Sequence, residues 1–420
     1  MDSIDVIPSY VLETWNHRST IQLVKHLLGS PVGSCVLITD HDRRFEETFE
    51  IHAFVPHDLP TKLDLPNEVW LQVADAMTEL GRLDAAASLI PNPRLVTRIA
   101  TRREAIGTSA LEGTFANLAE LLAAEALPAA DGPDSTIPPN VREVMNYTYA
   151  AEAGYAWVAD RPITMHLLSS LQARIIKGTD SDGQEAGQIR TTQVFIGAKN
   201  RRISEARFVP PPPGDQLRAL FEAWVQWLTD PEATSNIHII ARVAMAHYQF
   251  ETIHPYTDGN GRLGRLVSVL QFLREGDLRA PVLSISSWLK DHAIEYRDHL
   301  LDVSRTGDWA PWIGFFAKAV AAESKDGHDR IMRLLQLQKE IGETVRKALP
   351  RARLAVEIAD TLIAYPMLSV AASHRRHGRT NEANRNAIQQ LVEVGVLEPF
   401  TEAQYDRMFW NRRVFQVVDG

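Results

Sequence analysis

Apolar residues recur at helical spacing over most of this 420-residue chain, and that periodicity constrains its fold more than any other feature. Val69, Val73 and Met77 fall on one face of a helix predicted over Asn67–Leu89. The chain is therefore predicted to be mainly α. Further helices are predicted over Leu95–Ser109, Asn117–Glu125, Val141–Ala159, Ile163–Ile176, Gln216–Leu228, Ile237–Glu251, Gly261–Glu275, Ser286–Arg305, Trp309–Ser324 and Arg330–Ala348.

Strand-like patterns are confined to short segments. Cys35–Ile38 and Phe49–Val55 are β-like, and Thr191–Ala198, which mixes β-branched and aromatic residues beside a glycine, is the strongest strand signal. Leu127–Pro139 has the composition of an exposed loop, and the polyproline segment Val209–Gly214 that of a stiff connector. From its length, the chain is expected to form two or three structural units.

Charge and cysteine content exclude several classes of protein. The formal charge of -9 argues against a chain coated with basic nucleic-acid-binding surface, although it leaves room for one small basic module. Cys35 is the only cysteine, so an internal disulfide is impossible and a cytoplasmic setting is expected. The acidic start of the chain lacks the apolar stretch of a signal peptide, and no apolar run is long enough to predict a membrane span.

The densest group of chemically useful residues is the stretch TIHPYTDGNGRLGRL, between two predicted helices. Asn260 is a good N-cap for the second helix, so its free backbone N–H groups and dipole should form an anion site. Gly259 and Gly261 would let a phosphate approach the backbone closely. Arg262 and Arg265, three residues apart, can project from one side of the first turn and hold phosphate oxygens.

Two further residues of this stretch add catalytic chemistry. Asp258 offers a hard oxygen ligand of the kind that holds Mg²⁺ beside a polyphosphate, and His254 can act as a base near neutral pH. Each residue alone has an ordinary structural interpretation, such as a turn or a solvated helix face. Together they indicate nucleotidyl or phosphoryl transfer to a hydroxyl. The chain lacks the P-loop and HExxH patterns, which argues against those two enzyme classes.

The stretch His254–Arg265 resembles the Fic family motif HPFx(D/E)GNGRxxR, with Tyr256 in place of the usual Phe. Weaker similarity extends over roughly residues 60–320. The resemblance implies a helical Fic core at about 140–325 with a β-hairpin flap, preceded by an N-terminal helical region at 61–127. Residues 1–60 have no clear structural interpretation.

The resemblance also implies an activity. Most Fic proteins are protein adenylyltransferases, which move AMP from ATP to a Ser, Thr or Tyr hydroxyl of a target protein. On that basis His254, Asn260 and Arg262 would be catalytic, and Asp258 would hold Mg²⁺. The nucleotide would be bound by the whole motif and by two outlying residues, that is by Gln249, Thr257, Asp258, Gly259, Asn260, Gly261, Arg262, Arg265 and Tyr296.

A second motif, Thr108–Gly113, resembles the family's inhibitory signature (S/T)xxxE(G/N). The resemblance implies that Glu112 pairs with Arg265 and obstructs the γ-phosphate, with Thr108 as the other regulatory residue. The same site could also remove AMP by hydrolysis, with Glu112 orienting a water, and the family includes members that use UTP, GTP or CDP-choline. Residues 187–198 resemble the flap, on which a target segment would dock as an added strand.

The C-terminal part, residues 330–420, has the helix–turn–helix rhythm of a winged helix, which many Fic relatives carry. Residues 351–420 hold nine Arg and no Lys against eight acidic residues. Winged helices bind DNA but also dock proteins and dimerise. The competing hypothesis is a nucleotide-sensing, transcription-regulator-like protein that reads DNA. An intact His254 favours the enzyme, so DNA is a possible but not a favoured partner, and a homodimer is possible.

Overall fold

The computed structural model describes residues 27–42, 46–90, 92–126, 137–197, 206–400 and 407–420. The predicted mainly α fold is confirmed, since helices form nearly all of the regular structure of these residues. Up to the first helix of the C-terminal unit, the helices are α1 (Asn67–Ser88), α2 (Arg94–Leu111), α3 (Leu118–Ala126), α4 (Pro139–Val158), α5 (Met165–Ile175), α6 (Asp215–Trp227), α7 (Pro231–Asn236), α8 (Ile239–Ile253), α9 (Asn260–Glu275), α10 (Ser286–Asp291), α11 (Ala293–Thr306) and α12 (Ala310–Ala348).

Helices α8 and α9 form the centre of the main core. Almost every residue of both is buried, so neither has a solvated face, as expected for helices enclosed by others. Trp224 and Trp312 pack around α8 and donate their indole N–H groups to the carbonyls of Ala246 and Ala244, at 2.9 and 2.8 Å. The loop between the two central helices is therefore held in a rigid frame, and this loop carries the candidate site.

The two β-like segments near the start of the chain form a hairpin. Strands β1 (Gly33–Asp42) and β2 (Glu47–Pro56) pair antiparallel over ten residues each, so both predicted strands are confirmed and are longer than expected. The inner face of the hairpin, with Ile51 and Ala53, packs in a small apolar cluster with Phe195, Ala206 and Val209. This hairpin gives structure to part of the region 1–60 that the sequence left uninterpreted.

The prediction of a strand over Thr191–Ala198 is wrong for the residues described, and Ala198 itself lies outside them. The segment makes only a single antiparallel bridge, between Ile196 and Phe208. Its carbonyls bond instead to side chains: the carbonyl of Thr192 accepts from Arg190 (3.0 Å), and that of Val194 accepts from Gln193 (3.0 Å). A β-favourable composition therefore produces an extended segment with no continuous ladder.

Helix α12 replaces two predicted helices, Trp309–Ser324 and Arg330–Ala348, with one continuous helix of 39 residues. Between the two predicted helices lie polar residues and Gly327, a composition that by itself favours an interruption of the helix. Gly327 lies so close to α1 that an added Cβ would be 3.0 Å from the Leu83 side chain. The glycine thus serves close helix packing. Conversely, the helix predicted over Ser286–Arg305 divides at His292 into α10 and α11.

The C-terminal unit, residues 353–420, combines short helices with a small sheet. The sheet is antiparallel, its strands run in the spatial order Met367–Ser369, Met408–Trp410, Glu398–Pro399, and they lie between and after the helices. A second apolar cluster forms the core of the unit and joins it to the carboxyl-terminal half of α12. Its elements are α13 (Arg353–Thr361), β3 (Met367–Ser369), α14 (Val370–His377), α15 (Asn381–Glu393), β4 (Glu398–Pro399), β5 (Met408–Trp410) and α16 (Arg412–Asp419).

Among the described residues, no helix combines the length and apolar character that crossing a membrane requires.

Candidate active site

The loop between α8 and α9 turns sharply at two residues with left-handed backbone conformations. His254 has φ 50° and ends α8, and Gly259 has φ 78° and precedes α9. The N-cap prediction for Asn260 is wrong by one position, since Gly259 is the N-cap. The side chain of Asn260 instead closes the loop: it accepts from the Tyr256 N–H (3.0 Å) and donates to the Tyr256 carbonyl (2.7 Å). The amino end of α9 thereby keeps a fixed shape.

His254 is buried, with only 5% of its surface exposed. Its Nδ1 lies 3.2 Å from the Glu251 carbonyl, which can only accept, so Nδ1 carries the proton and Nε2 is the basic nitrogen. Burial, reinforced by the charge of Arg190, lowers the pKa of His254 to about 4. The imidazole is therefore neutral at pH 7 and able to take a proton.

Arg190, which the sequence analysis did not single out, fixes the position of this histidine. Its guanidinium is buried and donates to three carbonyls, those of His254 (2.8 Å), Thr192 (3.0 Å) and Pro211 (2.5 Å). Burial lowers the pKa of Arg190 to about 10, so it remains charged at neutral pH. One side chain thus ties the 187–197 segment, the polyproline segment and the site loop together. An arginine before a β-like stretch gives no local signal of this role.

Asp258 lies at the amino end of α9. Its Oδ1 accepts from the Gly259 N–H (2.5 Å) and from Arg262 (3.1 Å). Burial would raise the pKa of Asp258, but the Arg262 guanidinium outweighs it and holds the pKa below its usual value. The carboxylate is therefore ionised at neutral pH.

Arg262 has a second acidic partner that the sequence analysis missed. Its Nη1 donates to Glu143 Oε2 (3.2 Å), and the same oxygen accepts from Thr114 Oγ1 (2.8 Å). Glu143 lies on α4, more than a hundred residues away in sequence, so its pairing with Arg262 depends entirely on the fold. The guanidinium is thus held between Asp258 and Glu143.

Arg265 forms hydrogen bonds with residues at the carboxyl end of α2. It donates through Nε to Thr108 Oγ1 (2.6 Å) and through Nη2 to the Thr108 carbonyl (3.1 Å) and the Glu112 carboxylate. Burial would raise the pKa of Glu112, but its ion pair with Arg265 prevails and lowers it. The pairing that the sequence motif implies is therefore present, and it joins two charged groups that are both ionised at neutral pH.

The Glu112 carboxylate also lies against the first turn of α9. A Cβ built on Gly261 would overlap Glu112 Oε1 and would be 3.0 Å from Arg265 Nη1. A carboxylate is thus already placed at the amino end of α9, where the helix dipole and free N–H groups favour an anion. An anionic ligand that used Arg265 at this helix end would compete with Glu112.

Three residues predicted to contact a nucleotide have well-defined roles within the protein. Gln249 donates to the His57 carbonyl (2.8 Å), Thr257 donates to Glu185 (2.7 Å), and the buried Tyr296 hydroxyl bonds to His247 Nε2 (2.7 Å). Gln249 and Tyr296 are both buried, whereas Thr257 is part-buried. Their assignment as nucleotide contacts stays a prediction.

Glu251 is a part-buried acid that the sequence analysis passed over, three residues before His254. Its Oε1 lies beside Gly264 and has no hydrogen-bond partner within the part of the chain that the structure describes. Burial, together with the nearby Glu112 carboxylate, raises the pKa of Glu251 to about 7. The site therefore holds one ionised carboxylate on Arg265 and a second, partly protonated one nearby.

The site suits a ligand that carries phosphate groups. Two guanidiniums, the amino end of α9 and one ionised aspartate belong to the same loop and first helical turns as a basic nitrogen. Within the described ranges, no three His, Cys, Asp or Glu side chains form a group that could hold a metal by themselves. A Mg²⁺ ion that arrives with a polyphosphate needs only one or two protein carboxylates, and Asp258 meets that need.

Comparison with known families gives two adjacent matches. The Fic/DOC family N-terminal profile matches residues 70–156, and the Fic/DOC family profile matches residues 162–272. The second match contains the complete loop His254–Arg265, and the first contains the Thr108–Gly113 segment that grips Arg265.

Curated relatives match over the same part of the chain. The protein adenylyltransferase fic-1 of Caenorhabditis elegans is 37% identical over 139 residues, which cover 33% of this chain and 24% of that protein. The protein adenylyltransferase Fic of Culex quinquefasciatus is 34% identical over 157 residues, or 37% and 27% of the two chains. That of Drosophila willistoni is 31% identical over 192 residues, or 44% and 34%. The chain thus spans about a quarter to a third of these relatives' length.

Among solved structures, a Fic family protein from Desulfovibrio desulfuricans G20 superposes with a TM-score of 0.53 at 19% identity. The superposition covers 84% of this chain and 98% of that one, and it supports the fold. The paired family matches, the intact loop and the shared fold lead to one conclusion: residues 70–156 and 162–272 resemble the Fic/DOC family in sequence, and the chain shares the fold of a Fic family protein.

Proposed function

We propose that this chain is a protein adenylyltransferase that moves AMP from ATP to a Ser, Thr or Tyr hydroxyl of a target protein. The observation that carries the proposal is the neutral, buried imidazole of His254 beside a helix end equipped to bind phosphates. The names of the curated relatives support this choice of reaction and of ATP as donor. The groups of the matched loop suit phosphates and not a nucleobase. They therefore support nucleotidyl transfer more directly than they support ATP as the particular donor.

The proposed step is a displacement at the α-phosphorus. His254 Nε2 takes the proton of the target hydroxyl, the hydroxyl oxygen forms a bond to the α-phosphorus, and the bond to the β-phosphate oxygen breaks to release pyrophosphate. Arg262, Arg265 and the N–H groups at the amino end of α9 would stabilise the charge on the phosphate oxygens. Asn260 would contribute by holding the loop in shape through its two bonds to Tyr256.

Magnesium fits this site through Asp258. The carboxylate is ionised and part-buried at the amino end of α9. Mg²⁺ bound there with the phosphates would neutralise part of their charge.

Glu112 would restrain the reaction. Its carboxylate competes with phosphate for Arg265 and for the space beside Gly261. The proposal is therefore an autoinhibited enzyme whose activity requires Glu112 to move away.

The target would dock along the segment at 187–197, which lies beside the site loop in space. Arg190 anchors this segment to the His254 and Pro211 carbonyls, and the Arg190 N–H donates to the Pro255 carbonyl at 3.0 Å. A peptide aligned on the segment would bring a hydroxyl side chain towards His254.

The C-terminal unit is proposed to be winged-helix-like and to dock protein. Its helix pair α14–α15 precedes strands that pair antiparallel in a three-stranded sheet. The exposed face of α15 presents Glu382 about one turn before Arg385 and Glu393 about two turns after it. Such mixed charge suits a protein partner better than the DNA backbone, which selects for clustered positive charge.

The test is mass spectrometry of the Glu112→Gly variant incubated with ATP and Mg²⁺. We expect the variant to gain the mass of one AMP, and we expect the Glu112→Gly/His254→Ala double variant to gain none. Folded Glu112→Gly protein that gains no mass, alone or with lysate proteins as targets, would contradict the proposal. Equal labelling of the double variant would remove His254 from the role of base.

A further inference from the structure

The helix that carries the inhibitory glutamate has two packed faces. One face of α2 lies against the Fic core: Glu104 is buried and accepts from the Ser286 N–H at 2.9 Å and from the Ser286 hydroxyl. Gly107 lies so near this segment that an added Cβ would be 2.9 Å from the Ser287 nitrogen. This face positions Thr108 and Glu112 at Arg265.

The opposite face of α2 belongs to the core of the C-terminal unit. Ile99 on α2 lies in the same buried apolar cluster as Ile358 and Leu391 of that unit. Leu118 and Leu122, on the helix that follows α2, belong to the cluster as well. The inhibitory helix is therefore enclosed between the Fic core and the C-terminal unit.

Arginines on α2 add polar contacts to this second face. Arg103 Nη1 donates to the carbonyls of Val418 (3.1 Å) and Asp419 (2.8 Å), at the carboxyl end of α16 where a cation is favoured. One turn earlier, the Arg98 guanidinium lies over the Tyr365 ring, 4.4 Å from its centroid. Both contacts join the inhibitory helix directly to residues of the C-terminal unit.

The end of α3 is held by the same unit. The Ala126 carbonyl accepts from the Ser369 hydroxyl (3.0 Å) and from Arg375 (3.4 Å). Ser369 is itself buried. Helix α3 follows directly on the inhibitory segment 108–113, so the segment is anchored on both sides, by Arg103 before it and by Ala126 after it.

We propose that the C-terminal unit, residues 353–420, is a clamp that holds the inhibitory helix α2 against the active site. Loss of the clamp contacts would let α2 withdraw Glu112 from Arg265 and open the anion site. The inference rests on the proposed function, in which Glu112 restrains AMP transfer. A protein that docks on the C-terminal unit and displaces α16 or α14 would thereby activate the enzyme. The clamp thus assigns the unit a part in regulation.

The test combines a structural and a catalytic measurement on the full chain. The variant Arg98→Met/Arg103→Met removes both polar contacts of α2 with the unit, together with the ion pair between Arg98 and Glu125 of α3, but keeps most of the side-chain volume. Arg94→Met is the matched control, because Arg94 lies exposed at the start of the same helix. Hydrogen exchange is followed over residues 104–112, with α9 as an internal reference for intact folding.

We expect faster exchange over residues 104–112 in the double variant, no change in Arg94→Met, and unchanged exchange in α9. Self-labelling with ATP should rise roughly tenfold in the double variant, as for loss of one charge-assisted hydrogen bond. In a Glu112→Gly background the same two changes should add nothing, since the restraint is already gone.

Unchanged exchange over residues 104–112 would overturn the clamp, as would an equal rise of labelling in both backgrounds. If Glu112→Gly protein itself does not label, the proposed function fails, and the exchange measurement still decides the clamp. If the double variant loses protection in α9 as well, Ser369→Ala replaces it. Ser369→Ala removes one donor to the Ala126 carbonyl. Unchanged exchange over residues 104–112 in this variant would likewise overturn the clamp.

Discussion

Two helix ends meet at the candidate site, and they are built in opposite ways. The amino end of α9 is made by twelve consecutive residues, His254–Arg265, that bring a base, an acid and two guanidiniums together. The carboxyl end of α2 brings Glu112 to Arg265 across 153 positions of sequence. The comparison teaches that the proposed catalytic groups are local in the chain, whereas the proposed restraint by Glu112 depends on tertiary packing. Changes at the two ends should therefore differ in kind.

The largest effect is expected from the local end. In a Glu112→Gly background, His254→Ala should lower the rate of AMP transfer by about 10²–10⁴, because the target hydroxyl loses its general base. ATP binding, measured by calorimetry, should be nearly unchanged, since the phosphate-binding groups remain. Retained transfer, or a matching loss of ATP affinity, would show that the α9 end does not work as described.

Arg190→Met tests whether the shape of the loop before α9 depends on a residue outside it. The change leaves three carbonyls without their donor, two of them in buried hydrogen bonds, and buried unsatisfied groups cost roughly 1–3 kcal/mol each. We expect the free energy of unfolding, from urea denaturation, to fall by about 3 kcal/mol. Arg218→Met is the matched control because Arg218 is exposed, and it should change stability by less than about 0.5 kcal/mol. Equal effects would mean that Arg190 does not hold the loop.

The distant end is tested through charge alone. Glu112→Gln keeps the size of the side chain but removes the charge that pairs with Arg265. Since hydrogen bonds to charged groups contribute about 1.5–3 kcal/mol, ATP should bind roughly tenfold more tightly or better. Glu112→Asp keeps the charge but shortens the reach and should fall between wild type and Glu112→Gln. Unchanged affinity in Glu112→Gln would mean that the carboxylate does not compete with phosphate.

The smallest effect is expected from pH. Burial lowers the pKa of His254 to about 4, so the imidazole is already deprotonated throughout pH 5.5–7.5. The transfer rate of Glu112→Gly should therefore show no limb from this histidine in that range, and should fall only as pH drops towards 4. A Glu112→Gly/Glu251→Gln variant separates any contribution of Glu251, whose pKa is raised to about 7. A limb near 6.5 that survives in this variant would contradict the buried, neutral His254.

The same comparison explains how much could be predicted from sequence. The helix periodicity and the motif residues were readable because their signals lie within a few residues of one another. Arg190 and Glu143 were missed, since each acts on the loop across a long sequence separation that only the fold brings together. The single helix α12 was predicted as two helices for a related reason: Gly327 is a poor helix former by itself, and only the fold places it against Leu83 within an unbroken helix.

The unbroken helix α12 has a mechanical consequence. A helix of 39 residues is a rod of roughly 58 Å, with one half packed in the main core and the other in the C-terminal unit. A bend of about 10° at its middle would move the far end by about 5 Å, comparable to the rise of one helical turn. A modest torque on the tail would thus be enough to separate Arg103 from the last carbonyls of α16.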